Sequence, residues 1–471
     1  MMRTPFCSAI LFLLLLGGIL SSCQKQEEET PTTKDILSSL SPSDPNNPKA
    51  VIGPLDPIAT LPYPEISTNE YVIELERWDI PNNRTDPQKT TDNLQAAIDW
   101  AVGEGFGKIR LPAGHYLIGK EGNSIYQAGI TLKSNMAFLL DKNAIIEMAP
   151  NNKWNYCAIS INRQQNVVVS GGIILGDRDR HTYTPRESDG STVHDEGHLI
   201  CIEGESQQVW VENMVLAKAN GDGILIVGSK RGEPQLLQNV TIKHCNFTDN
   251  RRQGVSIVGG SEILIEGNEI HHTKGTSPQF GVDLEGAGRL NEKITIRSNY
   301  FHHNRGGDIV NTDGKGVLVE ENIMEQGEGS EYLDGPVVYW KNADWTVRKN
   351  SITMLSVSAN NWNGIIMYSN DRPKTNPTTS YIYENTCNSC GFYMYKGADL
   401  VIRDNHLKNG HLAFLEMKNL TVTNNKVEHD NRCWAYRFKE VSGQASGNTY
   451  NGEAFDIPLQ QDQPWDGCWI R

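Results

Sequence analysis

The eight residues Ile263-Leu-Ile-Glu-Gly-Asn-Glu-Ile270 contain a pattern that returns along most of the chain. The pattern is an apolar residue, any residue, an apolar residue, two polar or small residues, then Asn or a small residue, any residue and an apolar residue. Copies begin at residues 209, 240, 263, 294, 317, 345, 380, 400 and 420, with an earlier copy at 167. Copies from 209 onward follow one another at 20 to 35 residues. A strand-like repeat of that period predicts a solenoid, in which each copy contributes one coil.

Two features of the pattern define the solenoid further. Its apolar residues alternate, which is typical of a strand with one buried face. Its sixth position is Asn in most copies, so stacked coils place these side chains in a column that passes amide hydrogen bonds from coil to coil; Asn also tolerates the left-handed backbone that a sharp corner needs. The column comprises Asn268, Asn299, Asn322, Asn350, Asn385, Asn405 and Asn425.

The variable spacing of the copies argues against leucine-rich repeats. A β-propeller is the alternative fold, but hairpin turn signals are missing between the copies. The sequence therefore predicts an all-β chain, a single-stranded right-handed parallel β-helix.

An N-terminal α-helix is predicted at residues 90–102. Leu94, Ala97, Ile98 and Ala101 share one helical face, and Asp92 with Gln95 forms a capping-box pattern. A glycine-rich turn and the segment Leu111-Pro-Ala-Gly-His-Tyr116 follow.

This arrangement resembles the beginning of many pectin-lyase-like proteins. The central coils, roughly residues 90–440, are also similar to those of secreted glycan-active β-helix proteins. The resemblance implies a right-handed parallel β-helix whose open end is capped by the helix. It leaves the chemistry open, because this superfamily contains pectate lyases, alginate lyases, polygalacturonases, epimerases and phage tail-spikes.

The N-terminus reads as an export segment. Arg3 precedes an apolar run from Ile10 to Ile19, and Leu20-Ser-Ser-Cys23 resembles a bacterial lipobox. The resemblance implies that residues 1–22 are a lipoprotein signal peptide and that Cys23 is the lipidation site. An ordinary secretory signal is the alternative. Residues 23–70 are rich in Pro, Ser, Thr and charge and are predicted to be a flexible tether. Residues 71–471 form the predicted β-helix domain.

These segments predict a protein attached to the outer membrane of a Gram-negative bacterium through a lipid anchor, exposed on the surface or facing the periplasm. The formal net charge of −14 argues against a nucleic-acid partner. We expect a monomer. Of nine Cys residues, Cys433 and Cys468 form a candidate disulfide, whereas Cys245 and Cys387 are interpreted as buried thiols. Cys387 and Cys390 lack a second pair at zinc spacing, so no metal ligands are predicted.

A second strand follows the corner in each coil. Alternation predicts one outward column of Cys201, Leu225, Ser256 and Asp283, and a second column of Glu203, Val227, Val258 and Glu285. Asp308 is predicted to be the counterpart of Asp283 in the next coil. Asp222 lies at the start of its strand, one coil before Arg251 and Arg252, and the loop ending at His198 reaches the same face.

The predicted catalytic residues are Asp222, Asp283 and Glu285, with Arg252 holding one carboxylate ionised. Two carboxyl groups on one face suit glycoside hydrolysis, in which one is the acid and the other the nucleophile or base. A lyase or uronate epimerase is the enzymatic alternative. It needs a base and a cation, such as Arg251, Arg252, His198 or a bound metal ion. A hydrolase needs no cofactor, and the lyase alternative admits Ca²⁺.

Two further alternatives remain open. The protein could bind glycans without cleaving them, or the charged residues could form only solvent-exposed ion pairs without a function. Asn311-Thr-Asp313 resembles a polygalacturonase motif, but the later motifs of that family are absent, which puts this activity in doubt.

Aromatic residues on later second strands suit sugar rings, which stack on exposed aromatic faces. The expected partner is therefore a polysaccharide. The predicted substrate-binding residues are His198, Arg251, Asp308, Tyr368, Tyr393 and Tyr395. The pairs His271-His272 and His302-His303 are interpreted as corner residues, not as metal ligands.

Overall fold

The computed structural model describes residues 32–41, 61–119, 126–185, 190–229, 237–286, 288–312, 314–326, 338–340, 344–355, 363–368, 379–430, 435–455 and 459. Over these residues the chain winds through three long sheets, here named A, B and C. One coil runs from Gln238–Lys243 in sheet A through Asn246–Thr248 in sheet B to Gln253–Val258 in sheet C. The next coil then begins at Gly260–Glu266 and pairs in parallel with the first. The predicted parallel β-helix is confirmed.

Sheet A contains the strands Glu70–Val72, Lys108–Leu111, Met136–Leu140, Gln165–Ser170, Gln207–Glu212, Gln238–Lys243, Gly260–Glu266, Asn291–Arg297, Gly314–Lys315, Val317–Glu320, Trp345–Arg348, Ser380–Tyr383, Leu400–Arg403, Leu420–Thr423 and Gly443–Ser446. Sheet B contains the strands Gly114–Ile118, Ala144–Met148, Ile173–Leu175, Val215–Ala217, Asn246–Thr248, Glu269–His271, Tyr300–His302, Ile323–Gln326, Ser351–Met354, Thr386–Asn388, His406–Lys408, Lys426–Glu428, Thr449–Tyr450 and Glu453–Ala454. Sheet C contains the strands Tyr126–Thr131, Asn155–Asn162, Glu196–Gly204, Asp222–Gly228, Gln253–Val258, Phe280–Leu284, Gly307–Asn311, Val338–Trp340, Asn363–Tyr368, Gly391–Tyr395, Leu412–Leu415 and Tyr436–Lys439.

The core runs along the axis of the solenoid. Each coil sends one apolar side chain or more inward from every sheet, as Ile242, Phe247 and Ile257 do, and these three are fully buried. Each fully buried aliphatic or aromatic side chain contributes about 1.5–3 kcal/mol. The alternation seen in the sequence is therefore the alternation between core and surface.

The helix Pro87–Gly103 caps the N-terminal end, and Leu94, Ala97, Ile98 and Ala101 are buried on its inner face as predicted. Its predicted start is wrong. The helix begins at Pro87 with Asp86 as N-cap, because an N-cap Asp followed by Pro is a stronger start signal than the Asp92–Gln95 pattern inside the helix. Gln95 instead bonds both backbone groups of Thr131 in sheet C.

The predicted flexible tether contains structured segments. Residues Thr33–Ser39 form a helix whose capping box joins Thr32 and Asp35. Ile36 and Leu40 pack on the outside of sheet B with Ile145, Ile173, Leu175 and Ala217. The correction has a simple cause: these outward apolar residues of sheet B need cover, and the short helix offers two apolar side chains. None of the described helices is long and apolar enough to cross a membrane.

The Asn column lies at the corner between sheets A and B and is confirmed. Asn350 shows the repeating unit: its backbone N–H and its Nδ2 donate to Asn385 Oδ1 at 3.0 and 2.9 Å, and its Oδ1 accepts the same two bonds from Asn322 at 3.0 Å each. Asn350 Nδ2 also donates to the carbonyl of Val319 at 3.0 Å. The column continues to Asn448, beyond the predicted set.

The sequence analysis placed the left-handed backbone at the Asn residues, and this prediction is wrong. The left-handed residue is the one before each Asn. These preceding residues have φ of 54° to 63° and are Gly267, Ser298, Glu321, Lys349, Glu384, Asp404 and Asn424. The preceding residue makes the turn, so the Asn side chain is free to point along the axis of the solenoid.

Two disulfide bonds lie in the described part of the chain, Cys157–Cys201 and Cys387–Cys390. The interpretation of Cys387 as a thiol is therefore wrong, because the corner after its strand brings Cys390 within bonding reach. Cys245 is a buried free thiol, as predicted. Cys433 and Cys468 lie outside the described residues.

We predict that Asn350→Ala destabilises the protein by about 2–4 kcal/mol, because it leaves buried backbone and amide groups of Asn322 and Val319 without partners. The measurement is the free energy of unfolding in denaturant. The control is Asn388→Ala, which removes a half-buried Asn whose Nδ2 donates to Thr353 Oγ1 at 3.2 Å and which is expected to cost less than about 1 kcal/mol. Equal losses in the two variants would contradict a special role for the column.

Candidate functional site

A cluster of charged side chains lies on the outer face of sheet C. Its centre is Arg252, which directly precedes the strand Gln253–Val258. Arg252 Nη1 is 3.0 Å from Asp222 Oδ2, and Nη2 is 3.0 Å from Glu285 Oε1. Nη1 also donates to Ser256 Oγ at 3.2 Å. We call Asp222, Arg252, Asp283 and Glu285 the Arg252 cluster; the structure brings together all four residues that the sequence predicts as catalytic.

The register of sheet C explains this assembly. Cys201 pairs with Leu225, Leu225 with Ser256, and Ser256 with Asp283, so the first predicted outward column is confirmed. Val282 and Leu284, on either side of Asp283 in sequence, lie in the core. Residues up to 63 positions apart in the chain thereby become neighbours on one face.

The cluster is not a solvated ladder of ion pairs. Asp222 is fully buried and Asp283 is 2% exposed, whereas the side chains of Arg252 and Glu285 are 16% and 32% exposed. The two aspartates therefore lie beneath Arg252 and Glu285. Burying a charged group costs free energy unless the group is paired or protonated. Solvent-exposed ion pairs therefore do not explain why the two aspartates are buried.

Asp283 provides part of that explanation. Its Oδ2 accepts a hydrogen bond from Gln253 Nε2 at 2.6 Å, and its Oδ1 has no hydrogen-bond partner within the described residues. Burial, together with the negative charge of Glu285, raises the pKa of Asp283 to about 8. Burial and the neighbouring negative charge therefore favour the protonated form of Asp283 at neutral pH.

Asp222 differs from Asp283 because Arg252 contacts it directly. Burial raises the pKa of Asp222 to about 6, and the positive charge of Arg252 limits the rise. The two aspartates of the cluster are thus poised on opposite sides of neutral pH.

His198 lies beside Asp222 and is buried. Burial, reinforced by the charge of Arg252, lowers the pKa of His198 to about 3, so the ring is neutral. The backbone N–H of Asp222 donates to His198 Nδ1 at 3.1 Å, which places the ring proton on Nε2. His198 therefore orients the start of the strand that carries Asp222 and adds no positive charge to the site.

Arg251 has a structural role in the surrounding loop. Its Nη1 donates to the carbonyl of His194 at 2.9 Å, and its guanidinium lies 4.6 Å from the ring centroid of Tyr183. Gly275 lies against its side chain, where a Cβ would come within 2.6 Å of Arg251. Arg251 therefore holds the loop before His198 in place.

The same loop is fixed by a buried network that the sequence analysis missed. His181 Nδ1 is 2.7 Å from Asp177 Oδ2, and His181 Nε2 is 2.8 Å from His194 Nδ1. Tyr156 donates to Asp177 Oδ1, and His194 Nε2 is 2.6 Å from the carbonyl of Thr184. The spacing Asp177-x-x-x-His181 was the one sequence signal for this network. The contact of His194 with His181 could not be predicted, because the loop that carries His194 has no periodic pattern. Gln253 and Ser256, which contact the cluster directly, were also not predicted as site residues.

Asp308 is not the counterpart of Asp283, and that prediction is wrong. Asp283 pairs with Val310, so Asp308 occupies the position of Gly281 one coil before. A Cβ on Gly281 would meet the core ring of Phe301 at 2.8 Å, which shows that this position faces the interior. The error arose because the second residue of these two sheet C strands, Gly281 and Asp308, lies at the corner and departs from simple alternation.

Asp308 is instead a buried corner residue. It accepts hydrogen bonds from Asn304 Nδ2 at 3.1 Å and from Gln326 Nε2, while its Oδ2 has no partner among the described residues. Burial raises the pKa of Asp308 to about 8. Its side chain is fully buried and bonds residues of the corner, apart from the contacts of the Arg252 cluster.

The predicted aromatic residues continue the column of Asp283. The pairings run from Asp283 through Val310, Tyr339 and Ile366 to Tyr393, four coils further on. At about 4.8 Å per coil this places Tyr393 roughly 19 Å from Asp283 along the face. Tyr393 and Tyr395 are half-buried and alternate with the core residues Phe392 and Met394, as predicted. Tyr368 pairs with Tyr395, but its side chain lies outside the described set.

We predict that Asp308→Asn gains stability relative to the wild type as the pH rises. The folded pKa of Asp308 is raised above its unfolded value of 3.8, so its contribution to stability is full below pH 3.8 and is lost as the pH rises toward about 8. The amide of Asn does not titrate in this pH range, so the variant does not lose this contribution as the pH rises. Between pH 4 and pH 8 the difference in unfolding free energy is expected to shift toward the variant by more than about 1 kcal/mol. Denaturant unfolding at the two pH values measures it, and parallel pH curves would contradict the buried acid.

Comparisons with known proteins agree with this architecture. The family described as "Right handed beta helix region" matches residues 184–352. The uncharacterized protein YclG of Bacillus subtilis (strain 168) is 27% identical over 377 residues, which span 72% of this chain and 63% of YclG.

Two solved structures are similar in fold. An exopolygalacturonase from Thermotoga maritima has a TM-score of 0.52 at 13% identity, with 84% of this chain and 95% of that chain covered. The surface protein and adhesin PfbA of Streptococcus pneumoniae has a TM-score of 0.50 at 12% identity, with 81% and 97% covered. The resemblance inferred from the sequence is confirmed for the fold: the chain is a right-handed parallel β-helix.

Proposed function

We propose that this protein is a carbohydrate-active enzyme that hydrolyses glycosidic bonds of an extracellular polysaccharide at the Arg252 cluster. The observation that carries the proposal is the grouping of three carboxyl groups around Arg252 on one face of sheet C, where Arg252 bonds Asp222 and Glu285 and Asp283 is buried beside them. Asp283 keeps a proton at neutral pH, and Asp222 loses most of its own. Pairs of carboxyl groups whose pKa values are pushed apart by their surroundings are the usual acid and base of glycoside hydrolysis. The fold similarity to an exopolygalacturonase is consistent with it.

The roles follow from exposure and contacts. Glu285 is the most exposed carboxyl group of the cluster and its charge acts on Asp283, so Glu285 is assigned as the group that meets the glycosidic oxygen. In this proposal the Asp283–Glu285 pair is the general acid. Asp222 is the second carboxyl group, which activates water or stabilises the developing positive charge of the sugar ring. Arg252 fixes the geometry, because it bonds both Asp222 and Glu285.

Elimination by a lyase or epimerase is the alternative, and the contacts of the cations argue against it. Such a reaction needs a positive charge to neutralise the uronate carboxylate. Arg252 is already paired with two carboxylates, Arg251 bonds backbone carbonyls, and His198 is neutral.

A Ca²⁺ ion does not fit the cluster either. Hard dications take several carboxylate oxygens, but those of Asp222 contact the guanidinium of Arg252 and Asp283 is protonated. We propose a reaction without a metal cofactor.

The outer face of sheet C beyond the cluster is proposed to bind the rest of the polysaccharide. Tyr393 lies in the same column as Asp283, and Arg437 continues that column two coils beyond Tyr393. Half-buried aromatic side chains along such a face offer stacking surfaces to sugar rings. A substrate chain that lies along the solenoid axis would contact both regions at once. Loss of affinity for long chains in Tyr393→Ala would support this path, and unchanged affinity would refute it.

We predict that Asp283→Ala/Glu285→Ala lowers kcat/KM at least about a thousandfold, because it removes the proton that the leaving oxygen needs. The assay screens a panel of polysaccharides and detects products by mass, with absorbance near 232 nm recorded in parallel. The control is Glu262→Gln, which alters an exposed carboxylate on sheet A paired with Lys293 at 3.1 Å. Its activity should equal that of the wild type.

Three results would contradict this proposal in different ways. Full activity of the double variant would place the chemistry elsewhere. A product that absorbs near 232 nm is an unsaturated uronide and would establish a lyase. Binding without cleavage across the panel would favour the non-catalytic glycan-binding alternative, for which PfbA shows that the same fold occurs in an adhesin.

We also propose that the protein acts outside the cytoplasm on a lipid anchor at Cys23, in the outer membrane. The two disulfide bonds support an oxidising compartment, because such bonds are rare in the cytosol. Incorporation of labelled fatty acid in the wild type and its absence in Cys23→Ser would test the anchor; label retained in the variant would refute it.

A further inference from the structure

A cluster of four imidazoles lies at the corner between sheets B and C. His271 and His302 end consecutive strands of sheet B and pair with each other in register. Their rings stack with centroids 4.5 Å apart, and the rings of His272 and His303 stack at 4.8 Å. The sequence interpretation of these residues as corner residues is confirmed, since His272 and His303 each have φ of 54°.

The inner pair of rings is oriented by acceptors. His302 Nε2 is 3.1 Å from a carboxylate oxygen of Glu269, and His271 Nε2 is 3.3 Å from Asn246 Oδ1. Because these oxygens only accept, both Nε2 atoms carry the proton. The lone pair of each inner ring is then on Nδ1, directed away from these anchors toward the corner. A ligand histidine whose other nitrogen donates to a carboxylate or an amide oxygen is the usual arrangement of a metal site.

The nitrogens that face each other are close. His271 Nδ1 is 2.7 Å from His272 Nδ1, and His302 Nδ1 is 2.8 Å from His303 Nδ1. One ligand nitrogen from each of His271, His272 and His302 lies within 4.8 Å of the others. Nitrogens at about 2.0–2.1 Å from a tetrahedral zinc ion are roughly 3.3 Å apart, so ring tilts of roughly 1–1.5 Å would complete the geometry.

We propose that His271, His272 and His302 form a binding site for one borderline divalent transition ion, such as Zn²⁺, distinct from the Arg252 cluster. Three imidazole nitrogens suit Zn²⁺, Ni²⁺ or Cu²⁺ and do not suit Ca²⁺, which takes oxygen ligands. His271 and His302 are buried, whereas His272 is half-buried, so the ion enters past the His272 ring. The fourth position is left to water.

The site would add a metal cross-link between two coils that are already joined by backbone bonds, apolar contacts and the Asn268–Asn299 step of the Asn column. His271 and His302 are 31 residues apart in the chain, and an ion bound to both closes that loop in the folded state alone. Zinc is therefore expected to raise the unfolding temperature as well as to bind.

The test is a titration of the chain, purified without a histidine tag and stripped with a chelator, with ZnCl₂. We expect one bound ion per chain, no competition by excess CaCl₂, and a visible ligand-field band when CoCl₂ replaces zinc. His272→Asn should weaken zinc binding at least about tenfold, since Asn accepts the left-handed backbone but removes a ligand. The matched control is His303→Asn, the same change at the same corner position one coil later, which should alter affinity less than about threefold.

Absence of zinc binding and of the cobalt band in the wild type would overturn the site even if the variants fail to fold. Equal affinity in the wild type and in His272→Asn would also overturn it. Equal losses in His272→Asn and His303→Asn would reject the three-ligand assignment. Unfolding temperatures of both variants without metal show whether each is folded.

Discussion

The register between neighbouring coils is the constraint on which the rest of the structure depends. At the corner between sheets A and B, each Asn of the column bonds the next through its backbone N–H and its side-chain amide. These groups are buried, so a shift of one residue would leave several of them unpaired at a cost of about 1–3 kcal/mol each. The corner therefore fixes the vertical alignment of sheet C, where Asp222, Arg252 and Asp283 come from three successive coils.

Alignment alone brings the charges together, and burial gives them different properties. Asp222 and Asp283 have the same side chain on the same face, yet Arg252 contacts the first directly and Glu285 adds its negative charge to the second. Desolvation raises the pKa of both, and these neighbours then separate them. A row of fully exposed carboxylates would not be separated in this way, because water screens such interactions.

The parts of the fold that repeat could be predicted from the sequence, and the parts that occur once could not. The Asn column and the outward position of Asp283 follow from the eight-residue pattern, which recurs many times along the chain. The prediction for Asp308 failed because the second residue of its sheet C strand turns inward at the corner, as Gly281 does one coil before, so alternation no longer holds there. The helix at Thr33–Ser39 and the His181–His194 network depend on single contacts between distant segments, for which a sequence has no periodic signal.

The amides of the Asn column all point the same way. From Asn268 to Asn425, the backbone N–H and Nδ2 of each Asn donate to the Oδ1 of the Asn in the next coil, and Asn448 is the last acceptor. The column is thus a polar filament with an acceptor end and a donor end. A whole extra coil inserted in the same orientation would match both ends, whereas a reversed one would set donor against donor. The hydrogen-bond direction of the Asn side chain is therefore compatible with lengthening of the solenoid by tandem duplication of coils.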